Sequence, residues 1–429
     1  MRRSLVAFLL LAAAGAAAAG VYVVYAQDRD YTRLVAAGDQ SAAVDLPFEA
    51  LEAYSGAIAL RPESMIAHLK RGRIYRERGE LDAAARDLRR AAALDPTATL
   101  PLELLGDTYL AMQRHDRAAE RFEAYLALDD RAADVWYKLG LARYRNREFG
   151  SAIRALERAV QFEPSMAEAH FVVGLCHREQ GQTARARASL ETAARLSPGL
   201  TAPREALAGV YADGGDTSRA IDQLEALAAL DPTTATRFVA LGRAHARAGR
   251  HEAAVLTLSR AVERFPNDPH VYGALGRVWL EAAGARQDPV ALKKAVEALS
   301  TAATHTDVTS ETLTDLGRAW IQVGDITAAE RVLRQATTRL PVHPEAFLHL
   351  ARLSGRAGRL QEARDALVSY AVLVDESVPI AEVATQIAGY SIRLGQPQLA
   401  VRWVDRAADE TGDTPELAEL RRRAAGVPR

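Results

Sequence analysis

His170, Cys176 and His177 form the most suggestive metal-like cluster of side chains in this 429-residue sequence. Imidazole and thiolate are zinc ligands, and a catalytic zinc takes three such groups from the protein. His245 with His251, and His343 with His349, are two further close pairs. No motif surrounds any of them: there is no Walker loop, GxSxG elbow, HExxH or CxxC pair. Cys176 is the only cysteine, so an intrachain disulfide is excluded. Lys and Arg number 54 against 55 Asp and Glu, which leaves no global field to hold nucleic acid. These features predict no enzyme, no metal, no cofactor and no nucleic-acid partner.

The elements that carry these histidines explain their spacing. Met65 to Ala98 is a 34-residue unit with His68, Arg71, Gly72, Tyr75, Ala84, Leu88, Ala91 and Pro96 at positions 4, 7, 8, 11, 20, 24, 27 and 32, and the pattern returns at the same period. Contact residues three and four apart fall on one stripe of a 3.6-residue helix. Gly79 stops the first helix, and Pro96 cannot continue the second. Each unit is therefore a helical hairpin, with small residues where its helices cross and apolar faces that only stacking on neighbours can bury. His170 and His177 occupy positions 4 and 11 of their unit, which are packing positions, so the metal-like cluster reads as core.

Eleven such hairpins start at Tyr31, Met65, Thr99, Ala133, Ala167, Thr201, Ala235, Pro269, Ser310, Pro344 and Ala381. Position 8 is glycine in eight of them, and position 20 is alanine in every one, from Ala50 to Ala400. On these residues the chain resembles the tetratricopeptide-repeat family over residues 31–414. The resemblance implies an all-α protein, an α-solenoid winding as a right-handed superhelix. Two departures break the register. About seven extra residues around Glu281 to Val290 lengthen the turn between two helices, as a surface insertion or a recognition loop, and Val378 to Ile380 precede the last unit. Residues 415–429 read as a polar capping helix and tail, with Leu417 and Leu420 facing inward.

Residues 1–26 form a separate segment. Arg2 and Arg3 precede Ser4 to Gln27, a run without a charged side chain. At about 1.5 Å per residue it is just long enough for a hydrocarbon core of about 30 Å. A retained anchor places Tyr22 and Tyr25 at the far interface and the two arginines inside. That predicts a single-pass protein of a bacterial inner membrane with its solenoid facing the periplasm. A cleaved signal ending at Val24-Tyr25-Ala26 predicts a secreted or periplasmic protein instead.

The family resemblance further implies a concave groove, lined by the first helix of each hairpin, that binds partner proteins or extended peptides. Positions 2, 5, 9 and 12 lie more than a third of a turn from the packing positions and so face that groove. In hairpins four and five they offer an apolar patch: Tyr137, Leu141, Tyr144, Phe171 and Leu175. In hairpins seven to ten, position 9 is always arginine, as Arg243, Arg277, Arg318 and Arg352. Read as free, the row is a ladder for an acidic, extended segment; read as neutralised by Glu281, Glu311, Glu345 or Glu382, it is structural. The asparagine and lysine of a carboxylate clamp are missing from the groove positions. The expected role is a membrane-tethered interaction scaffold, with an accessory subunit of an envelope enzyme or polysaccharide-export assembly as the alternative.

Overall fold

The computed structural model describes residues 2–375 and 377–426, and for residues 2–21, 285 and 286 the course of the backbone alone. Among them it contains 23 helices and no strand. The protein is an all-α solenoid of helical hairpins. From the second hairpin the helix pairs run Met65–Glu77 with Leu81–Leu94, Thr99–Ala111 with His115–Leu126, Ala133–Arg145 with Phe149–Phe162, and Ala167–Glu179 with Thr183–Leu196. They continue as Thr201–Asp213 with Thr217–Leu230, Ala235–Arg247 with His251–Arg264, Pro269–Arg286 with Pro289–Ala303, Ser310–Val323 with Ile326–Ala336, Glu345–Arg356 with Leu360–Leu373, and Ala381–Arg393 with Pro397–Thr411. The chain divides into two compact units, Met1–Val210 and Tyr211–Arg429, and the division falls inside the first helix of hairpin six.

One close approach recurs in every hairpin that has glycine at position 8. A Cβ placed on Gly140 would lie 2.5 Å from Cγ of Leu156, at position 24 of the same hairpin, and 3.3 Å from the carbonyl oxygen of Ala152. Gly72, Gly174, Gly242, Gly276 and Gly317 meet leucine at the same place, and Gly106 meets Phe122. Position 20 is equally tight: Ala84, Ala118, Ala152, Ala186, Ala254, Ala295, Ala329, Ala363 and Ala400 are all fully buried. The small residues let the two helix axes approach, and the large position-24 side chain fills the space they leave.

A second device ties hairpins two, four and five to the one before. The position-4 side chain reaches the main-chain carbonyl of position 32 of the preceding unit: His68 Nε2 to Pro62 O at 3.1 Å, Trp136 Nε1 to Asp130 O at 2.8 Å and His170 Nε2 to Pro164 O at 3.2 Å. Histidine and tryptophan can both donate a ring N–H there.

The sequence expectations need correction at three places. The first hairpin has no separate first helix starting at Tyr31; one helix runs unbroken from Arg2 to Ala43 before Pro47–Leu60. The insertion in hairpin eight lengthens a helix, not the turn: Pro269–Arg286 has 18 residues where the first helices of hairpins two to seven and nine to eleven have 12 to 14. Its alanine-rich sequence, Glu281 to Ala285, favours helix continuation, and Gln287 then turns in the left-handed region, φ 52°, before Asp288 caps the next helix. The first helix of hairpin ten begins at Glu345, one residue beyond Pro344. Before the last hairpin, Glu410 Oε2 accepts from the main-chain N–H groups of Ile380 and Ala381, both at 2.9 Å, and so caps the helix that Val378 to Ile380 lead into. Beyond it the helix Pro415–Ala424 buries Leu417 and Leu420 against Ala384, Val404 and Ala407.

The segment 1–26, read from sequence as an anchor or signal, lies outside the described side chains up to residue 21. Among the described residues no helix is long and apolar enough to cross a membrane.

Candidate functional site

The metal-like cluster resolves into packing. Cys176 is fully buried, and burial pushes its thiol up to about 12, so no thiolate is available at neutral pH. His170 is held by Pro164. Among the described residues no group of three or more His, Cys, Asp or Glu could hold a metal ion.

The apolar patch and the arginine row lie in different units, the patch in the first and the row in the second. Tyr137, Leu141, Tyr144 and Phe171 are half-buried and pack on the core of Ala152, Leu156, Val172, Val173 and Cys176; Leu175 is half-buried beside them in sequence. Tyr144 also meets Phe149, the first residue of the next helix, with ring centroids 6.0 Å apart at 51°. Burial, with Glu168 beside Tyr137 and Glu179 beside Tyr144, raises both phenol pKa values, so each remains a neutral, amphipathic ring. Hairpins four and five thus present a stripe with an apolar body and two hydroxyl edges.

The arginine row is not a ladder of free guanidinium groups. Arg277 Nε donates to Asp315 Oδ2 at 2.6 Å and its Nη1 to Glu311 Oε1 at 2.5 Å. Arg318 pairs with the other oxygen of Asp315 at 3.1 Å, and Arg243 approaches Glu311 at 3.8 Å. The five groups form one alternating chain across hairpins seven to nine. Asp315 is buried, and two cations compensate it. Burial opposes the charge on Arg277, yet the two carboxylates outweigh it and raise its pKa above the ordinary value. Glu311 responds in the opposite sense: burial raises its pKa, but Arg277 and then Arg243 bring it below the usual carboxylate range. Arg352 alone of the four is exposed, with no ion pair among the described residues.

The pairing follows a rule that reading one helix at a time does not reveal. Position 9 of one hairpin meets position 6 of the next, as Asp39 with Lys70 at 2.6 Å, Asp107 with Lys138 at 3.0 Å and Arg277 with Asp315. Lys138 takes Glu103 as well, at 2.6 Å. In hairpins four and five the same two positions are Leu141 and Val172, both part of one apolar cluster. Between hairpins nine and ten they are Arg318 and His349. No carboxylate stands at position 6 there, and burial, then Arg318, lower the pKa of His349 to about 4. Opposite charge at positions 9 and 6 of successive units is the sequence signal that finds Asp39 with Lys70, Asp107 with Lys138 and Arg277 with Asp315; Glu103, at position 5, lies outside it.

Two family models described as tetratricopeptide repeat match the sequence: one over residues 49–99, 104–161, 137–201 and 314–377, the other over 211–278. None of the curated proteins compared matches the chain. Similar solved structures include YrrB, described as a TPR protein with an unusual peptide-binding site, at 23% identity over 42% of this chain and 94% of that one, TM-score 0.37. The pilF protein of Pseudomonas aeruginosa is 20% identical over 49% of this chain and 96% of that one, TM-score 0.40. The APC/C hetero-tetramer Cut9-Hcn1 is 14% identical over 92% of this chain and 96% of that one, TM-score 0.41.

Proposed function

Because the chain belongs to the tetratricopeptide-repeat family, we propose that it is a non-catalytic protein-interaction scaffold that seats a partner protein or an extended peptide on the stripe of its first helices. The observation that carries this reading is the half-buried apolar patch of Tyr137, Leu141, Tyr144, Phe171 and Leu175. Completing the burial of one leucine or aromatic side chain from a partner contributes about 1.5–3 kcal/mol, enough to act as an anchor. Acidic residues on that partner find fewer cations than a free ladder offers. Arg243, Arg277 and Arg318 already hold carboxylates, which leaves Arg352 as the exposed member of the row.

The scaffold is tethered by its N-terminus, with the repeats on the periplasmic side of a bacterial inner membrane. The uncharged run from Ser4 to Gln27 behind Arg2 and Arg3 supports this, as do the exposed rings of Tyr22 and Tyr25, 70% and 66% accessible. Carbonate-washed membranes retain such a protein, and its mature N-terminus is not Gln27.

Site-specific photocrosslinking tests the binding face. A photoreactive phenylalanine analogue in place of Leu175 captures a discrete adduct in the native cell, whereas the same group in place of Arg187, exposed on the second helix of that hairpin, does not. Equal adducts from both places, or none from Leu175, contradict the reading.

A further inference from the structure

A cleft lies between hairpins three and four, lined by both helices of hairpin four and by Glu123 from the second helix of hairpin three, and by none of the stripe residues. It coincides with a change at two positions. Position 11 is a ring in hairpins two and three, Tyr75 and Tyr109, and Arg117 at position 19 lies over Tyr109, 6.0 Å from its centroid. Hairpin four has Arg143 and Ser151 at these places. The space that opens is a cleft of about 580 Å³ with Trp136, Leu139 and Ala155 among its lining residues and Arg143, Arg154 and Arg158 around it.

The three arginines differ in what they are committed to. Arg143 is taken by Glu123 and Glu148. Arg154 donates to Ser151 Oγ at 3.0 Å and Arg158 to Gln161 Oε1 at 2.6 Å, both neutral acceptors, and among the described residues neither meets a carboxylate within ion-pair distance. Arg158 also lies 5.6 Å from the centroid of Trp136 and 5.0 Å from that of Phe162. A guanidinium stacked on rings keeps its in-plane N–H groups, the fork that matches a carboxylate. Glu123 is occupied by Arg143, so Glu157 is the one lining carboxylate left to oppose the pair.

We propose that this cleft is a second protein-docking site, which takes an aromatic or aliphatic side chain against Trp136 and the flanking carboxylates of an acidic partner segment on Arg154 and Arg158. It shares no lining residue with the apolar stripe of Tyr137, Leu141, Tyr144, Phe171 and Leu175, and a scaffold with both patches in use holds two segments at once.

Fluorine NMR of the full chain labelled with 5-fluorotryptophan tests it, the Trp136 signal being assigned through Trp136→Phe. The probe is the peptide acetyl-Asp-Phe-Asp-Glu-amide, and the control is its neutral analogue acetyl-Asn-Phe-Asn-Gln-amide. The acidic peptide moves the Trp136 signal with an affinity at least tenfold above that of the control. Arg154→Gln with Arg158→Gln removes that preference while the melting temperature holds, and Tyr137→Ala with Leu175→Ala leaves it intact. An unmoved Trp136 signal, equal response to both peptides, loss of the response in the Tyr137/Leu175 variant, or displacement of the acidic peptide by phosphatidylglycerol vesicles overturns the proposal. Only the stripe reading fails if Leu175 yields no crosslink while the Trp136 response persists.

Discussion

The first helices of hairpins four and five and those of hairpins seven to nine occupy equivalent places in their hairpins, and they fill positions 6 and 9 in opposite ways. Leu141 and Val172 join one apolar cluster in the first unit. In the second, Arg277, Asp315, Glu311, Arg318 and Arg243 form an alternating chain of charge. An apolar surface can still gain by being covered, because a partner removes more of it from water. A charge network that already satisfies its members gains little from a further charge, which must compete with the present partner. The same repeat geometry therefore gives one region that still gains from being covered and one whose charges are already paired between successive hairpins.

Breaking that pairing is the largest effect this contrast predicts. Arg277→Ala leaves the buried Asp315 with Arg318 alone and costs about 3 kcal/mol, the low end for a broken buried pair because Arg318 remains, measured as a loss of melting temperature or denaturation midpoint. If the row were a free ladder, the substitution would leave the melt unchanged. Gly140→Leu has a comparable but smaller cost, about 1–3 kcal/mol, because even its Cβ falls 2.5 Å from Leu156. Gly276→Leu in the second unit meets Leu299 at the same 2.5 Å and costs the same, since this approach belongs to the hairpin and not to either stripe.

Acid separates the units next. His349 titrates at about 4 in the folded protein and near its ordinary 6.5 when unfolded, so the fold favours the neutral ring. Burial lowers His245 in the same direction, against the opposing field of Glu225. The stability this confers is fully present above about pH 6.5 and is lost as pH falls through the folded value, on the order of 2 kcal/mol for His349. Hydrogen exchange at pH 7 and pH 5 checks it. Amides of Glu345–Arg356 lose protection at the lower pH before those of Ala133–Arg145, and equal loss in both would count against the contrast.

The smallest effect concerns a turn. Arg147 ends the first helix of hairpin four at φ 63°, where Gly79, Gly181, Gly249 and Gly358 stand in other repeats. A left-handed backbone costs a side-chain-bearing residue about 1 kcal/mol, so Arg147→Gly raises stability by about 0.5–1 kcal/mol, read from chemical denaturation.

The hairpin register was legible in the sequence because glycine at 8, alanine at 20 and proline at 32 are local requirements that repeat, and each helix enforces them alone. The sequence leaves the arginine row open between a free ladder and a neutralised one, for the opposite reason. Asp315 lies 38 residues from Arg277, and pairing them requires knowing that position 9 faces position 6 of the next unit. Glu311 stood among the possible neutralising residues, while Asp315 did not. The insertion in hairpin eight was read as loop by its length, although its alanines carry the helix forward until Gln287. The apolar patch was visible as types and spacing, but its attachment to the Cys176 core depends on packing between hairpins four and five.

The central claim is that partner capture belongs to the apolar stripe of the first unit and not to the arginines of the second. A matched pair of variants tests it most directly, with partner recovered by proximity labelling in the native cell and folding checked by thermal melts. Tyr137→Ala with Leu175→Ala loses at least about tenfold in recovered partner, equivalent to about 1.4 kcal/mol, while the protein remains folded. Arg243→Ala with Arg352→Ala changes recovery by less than about twofold, since Arg243 is a distant member of the network and Arg352 an isolated cation. Full recovery by the first variant and loss by the second, both folded, would contradict the account.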